Sequence, residues 1–96
     1  MGNIIISKSA SSDLKSIVQW YDDQKDDLGN DFLFSFNKIL IAVQKNTTSF
    51  RYISKHIRRC KTQKFPYHIY YRISGTDAIR ILRVRHVKQV LLKRFT

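Results

Sequence analysis

The sequence predicts an α+β domain of two layers, an antiparallel sheet with an α-helical hairpin packed on one face. The element order is β-α-α-β-β-β, followed by a short C-terminal tail. Three observations predict it. Apolar residues recur with a helical period as far as Val43. The period then shortens to two in residues 67–73. A length of 96 residues leaves room for one core, so residues 1–96 read as a single domain.

Residues 3–6 (NIII) are short, β-branched and apolar, as a strand requires. The polar run 8–13 supplies helix N-cap candidates and an early acid. Leu14, Ile17, Val18 and Tyr21 follow at i, i+3, i+4 and i+7, the spacing of one helix face. Leu28-Gly29 is expected to stop this helix. A second helix follows, with Phe32, Leu33, Phe36, Ile39, Leu40 and Val43 on one face, and it is expected to end near Asn46.

Residues 57–61 form a short basic strand candidate. Pro66 opens the next strand, residues 67–73, within the stretch KFPYHIYYRI. Alternation sends Tyr67, Ile69, Tyr71 and Ile73 toward the helices and His68, Tyr70 and Arg72 the other way. Residues 74–77 (SGTD) read as a hairpin turn. Residues 78–85 are the last strand, and their alternation is poor. Ile79 and Ile81 share a face with Arg83 and Arg85, which calls for a bulge or apolar cover on both faces. The tail, residues 87–96, is either a short helix or an extended arm.

Charge is divided along the chain. As far as Asp31 there are three Lys against six Asp; from Phe32 onward fifteen Lys and Arg stand against one acid, Asp77. A basic half on a small domain calls for a polyanionic partner, whether RNA, DNA or an acidic protein segment. The lone Cys60 excludes an internal disulfide and a thiolate metal cluster, and His56, His68 and His86 lack zinc-site spacing. No metal or cofactor is expected. Single-cysteine usage and the absence of a long apolar run point to a reducing, cytoplasmic location with no membrane partner.

The order Asp13-Leu14, Ile17, Trp20-Tyr21, Leu28-Gly29, Phe32 resembles the RelE/ParE superfamily of toxins. So does the later run of Arg59, Phe65-Pro66-Tyr67, Ile69-Tyr70-Tyr71, Ile79, Ile81-Leu82 and Val84 with His86. The resemblance spans nearly the whole chain and leans to the ParE side. It implies the toxin half of a bacterial type II toxin–antitoxin pair, inhibiting growth until a cognate antitoxin covers it. ParE-like members poison DNA gyrase, whereas RelE-like members are ribosome-dependent mRNA endonucleases. The charge division suits an acidic, partly disordered antitoxin segment that folds on binding.

Cleavage of RNA through the 2′-hydroxyl needs a base, an acid and cations for the phosphorane charge. The chain contains no glutamate, and Asp77 sits in a turn. The candidate acid–base pair, should the chain be a nuclease, is therefore His68 with His86. The resemblance places Phe95 where a nuclease more often has tyrosine, and a phenyl ring cannot donate a proton. Target or nucleic-acid contact is assigned to Arg58, Arg59, Lys61, Lys64, Arg72, Arg83, Arg85 and Lys88. Cys60 is expected to be a buried strand residue. A small RNA-binding module is a third reading, but KFPYHIYYRI lacks the glycines that an RNP1 strand places between its aromatics.

Overall fold

A single serine joins the first strand to the first helix. Ser7 follows β1 (Asn3–Ile6) and its Oγ accepts from Ala10 N at 3.0 Å, capping α1 (Lys8–Gln24). The cap thus lies one residue before the polar run expected to supply it. The same Oγ donates to Leu82 O and the Ser7 amide to Ile81 O, each at 3.0 Å, which ties the helix start to β4 (Ala78–His86). The computed structural model describes residues 3–75 and 78–89.

The joint between the helices corrects one expectation. Leu28-Gly29 does not end α1, which stops at Gln24; it begins α2 (Leu28–Lys45). Asp27, with φ of 66°, makes the reversal. Gly29 has a different task. Its amide donates to Asp22 Oδ1 at 2.8 Å, and a Cβ there would lie 2.7 Å from Val18 Cγ1 and 2.8 Å from Val18 O. Glycine is present because two helices meet closely, not because a chain stops. The second helix ends at Asn46 as expected, where its amide bonds Ala42 O and Val43 O.

The sheet order is β1-β4-β3-β2, with β2 spanning Arg58–Lys61 and β3 Tyr67–Ser74. β2, β3 and β4 are antiparallel, but β1 runs parallel to β4, so the sheet is mixed rather than wholly antiparallel. Parallel neighbours need a long crossover, and both helices with β2 and β3 supply it here. The poor alternation of the last strand is resolved by a bulge. Tyr70 pairs with Arg83 and Tyr71 with Ile81, leaving Leu82 as the extra residue. Ile79, Ile81 and Val84 therefore all reach one face and are at most 2% exposed.

That face meets the helices. Phe32, Phe36, Leu40 and Val43 from α2 join Ala10 and Ile17 from α1 against Cys60, Ile69, Tyr71, Ile79, Ile81 and Val84. Tyr21, Phe32, Phe65 and Tyr67 form an aromatic cluster with ring centroids 5.0–6.2 Å apart. Two residues of KFPYHIYYRI depart from simple alternation. Ile73, expected inside, is 36% exposed because it lies at the strand end beside the Gly75 turn. Tyr70, expected to be available, is 3% exposed. It occupies the middle of the sheet between Arg59 and Arg83, with the His68 ring 6.1 Å away. Asp77 and the tail beyond Gln89 lie outside the described residues.

Candidate basic binding face

Among the described residues, both helices pack on one face of the sheet. Strand alternation and register place Arg59 and Lys61 of β2, His68 and Arg72 of β3, and Arg80 and Arg85 of β4 on the other. They form two rows. Lys61, His68 and Arg85 stand in register across three strands, and Arg72 is paired with Arg80, which is paired in turn with Ile5 of β1. The Nε atoms of Arg80 and Arg85 are buried without a hydrogen-bond partner. His68 has its pKa pushed below the usual 6.5, first by burial and then by the charges of Arg59 and Lys61.

Other cations proposed from sequence are engaged elsewhere. Arg58 lies on the helix side, 9% exposed, and its Nη1 donates to Thr48 O at 3.0 Å and Phe50 O at 2.7 Å. Its guanidinium also sits 3.7 Å over the Tyr52 ring, so it pins the loop after α2 to the edge of β2. Arg83 forms a two-point pair with Asp13 of α1, Nε to Oδ2 at 2.8 Å and Nη2 to Oδ1 at 2.9 Å. Asp13 also accepts from the Val84 amide at 3.0 Å, so one carboxylate clamps the bulge to the helix. That bond raises the Arg83 pKa. Lys64, with φ of 70°, lines a hollow with Asp31, Phe34 and Lys38. Lys88 is exposed just beyond β4.

His68 and His86 are not brought together. His86 pairs with Tyr67, on the helix side, with ring centroids 5.4 Å apart. His68 is the next residue on β3 and faces the other way. His86 Nδ1 accepts from the Lys88 amide at 3.1 Å, closing the turn after the strand. Burial pushes the Cys60 thiol up to about 12, so it is a packed strand residue as expected and a poor nucleophile. Phe95 lies outside the described residues. Arg80 was not singled out from sequence; its place on this face is fixed only by its pairing with Arg72.

The described residues hold no group of three or more His, Cys, Asp or Glu side chains suited to a metal ion. No helix is long and apolar enough to cross a membrane. What the arrangement can do is hold anions on an Arg-rich sheet face.

A two-helix hairpin closing one face of a four-stranded sheet, with cations on the other, defines a small basic α+β binding domain. The sequence profile of the ParE toxin of the type II toxin–antitoxin system, parDE, matches residues 4–91. The chain belongs to this toxin family. Its fold is similar to a solved chain described as the chromosomal ParDE TA system from P. aeruginosa, with a TM-score of 0.77 and 19% identity. That match covers 90% of this chain and 96% of the other. No curated protein matches.

Proposed function

We propose that this chain inhibits growth as a ParE-like poison of DNA gyrase and is neutralised by a cognate acidic antitoxin. The observation that carries the choice of target is the separation of His68 from His86 onto opposite faces, which leaves no histidine pair to share proton transfer. Exposed apolar side chains on the helices, Trp20, Phe34 and Ile41, support a protein partner on that side. The test is purified protein in a gyrase supercoiling assay beside a cell-free translation assay that follows mRNA length. Supercoiling is expected to fall while mRNA stays intact. Shortened mRNA with normal supercoiling overturns the gyrase reading.

One observation favours the second reading, ribosome-dependent mRNA cleavage. His68 alone, with its lowered pKa and flanking cations, has the environment of a general base. If that reading holds, His68→Ala abolishes cleavage and His86→Ala does not. Co-expression with a short acidic protein from the neighbouring gene is expected to restore growth, and unimpaired growth with this chain alone counts against the toxin assignment.

A further inference from the structure

We propose that the sheet face opposite the helical hairpin binds the phosphate backbone of nucleic acid without reading its bases, through Arg59, Lys61, Arg72, Arg80 and Arg85. This goes beyond the choice of target and holds for either.

The charge pattern carries it. Five cations lie on one face of one sheet, and the described strands contribute no carboxylate to it. The ion pair found among the described residues, Arg83 with Asp13, is made with a helix. Like charges set side by side repel, so the arrangement is unfavourable until an anion arrives.

The same face lacks what an acidic peptide needs. A peptide gains its affinity from apolar anchors in pockets or from ladder bonds at a sheet edge. Here the aromatic at the centre, Tyr70, is 3% exposed and offers no pocket, and of the strands that carry the cations only β2 lies at an edge of the sheet, with Arg72 and Arg80 inside it. The exposed Trp20, Phe34 and Ile41 belong to the helices instead. Buried Tyr70 also leaves no ring for bases to stack on, so contact is with phosphate and carries little sequence preference.

The test is fluorescence anisotropy of the full chain with labelled single-stranded RNA and DNA of several sequences. Similar affinity across sequences is expected, with log K falling linearly against log salt. Replacing two exposed cations of the face together, Lys61→Gln with Arg72→Gln, should lower the affinity at least tenfold. It should also reduce the salt slope by about 1.4, two contacts at ~0.7 each. Lys38→Gln with Lys45→Gln removes equal charge from α2 and should leave the slope unchanged. Circular dichroism melting checks that both double variants fold. Equal losses in the two double variants would mean that net charge, not this face, holds the nucleic acid, and would overturn the proposal. So would displacement of the nucleic acid by polyglutamate at equal charge concentration, which would assign the face to an acidic protein.

Discussion

Toward the helices the sheet presents Cys60, Ile69, Tyr71, Ile79, Ile81 and Val84, none more than 5% exposed. On the reverse, the alternate positions of the same strands hold Arg59, Lys61, His68, Arg72, Arg80 and Arg85. The first set makes the fold, because apolar area leaves water when the helical hairpin closes on it. The second set contributes charge repulsion and no core. The bulge at Leu82 keeps the two apart, since without it Val84 would follow Arg80 outward and Arg85 would follow Ile79 and Ile81 inward. Damage to the inner face should therefore be read in stability, and damage to the outer face in binding.

The largest expected effect breaks the inner face. Phe32 is 0% exposed and packs its ring on Tyr21, Phe36, Phe65 and Tyr67. Phe32→Ala should destabilise the domain by about 3–5 kcal/mol, the range for removing a buried aromatic ring. In urea unfolding the midpoint should fall with the slope unchanged. Because a small domain has only about 5–15 kcal/mol to lose, partial unfolding of the variant in buffer is an acceptable form of this result. A shift under 1 kcal/mol would mean that the aromatic cluster is not the centre of the core.

Next comes the helix joint, where two glycines separate two causes. Gly29→Ala would place its Cβ against Val18 and Asp22 and should cost about 1–3 kcal/mol by forcing the helices apart. Gly75 has φ of +64° with nothing within 4 Å of a Cβ, so Gly75→Ala costs only the left-handed conformation, about 1 kcal/mol. Thermal melts of both variants check the order. If Gly75→Ala proves the more damaging, close helix approach is not what keeps Gly29 a glycine.

Much of this architecture was legible because periodicity reports burial directly. The helical stripe through Phe32, Phe36, Leu40 and Val43 and the strand at 67–73 both follow it. Three features were not legible, each for a physical reason. Leu28-Gly29 has the composition of a helix stop, and only the packing against Val18 shows that it starts a helix. The parallel pairing of β1 depends on where the chain returns after two helices and two strands, which no local pattern encodes. The burial of Tyr70, at a position that alternation turns away from the helices, is not written in the local pattern. Charge pointed to a polyanionic partner but could not say which cations were already engaged: nothing in the composition separates Arg58 on carbonyls and Arg83 on Asp13 from Arg59 and Arg80.

A smaller effect sharpens where the two faces meet. Asp13 holds Arg83 and the Val84 amide at once, and thus fixes the bulge. Asp13→Asn keeps the shape but removes the charge, and should cost about 1–2 kcal/mol. Arg83→Gln leaves Asp13 able to hold the Val84 amide and should cost less. Measuring both in low and high salt separates the parts, because the partly exposed ion pair weakens with screening more than the amide bond does. Equal losses for the two variants would show that the ion pair, and not the amide bond, anchors the bulge.

The smallest effect is a pH dependence at His68, where the two faces should respond in opposite directions. Burial, then Arg59 and Lys61, hold its folded pKa below 6.5. Between the folded value and 6.5 the unfolded chain carries the proton and the folded chain does not. More protons are bound in the unfolded state, so stability rises with pH through this window and is lost as the solution is acidified. Urea unfolding from about pH 7.5 to about pH 5.5 should show that loss, reduced in His68→Gln. An unchanged pH slope in the variant would show that the dependence does not arise at His68. Anion binding on the outer face should move the other way, since a protonated His68 adds charge where phosphate is held. Acid should thus weaken the fold and strengthen the contact, and loss of both responses in the one variant would place them on the same imidazole.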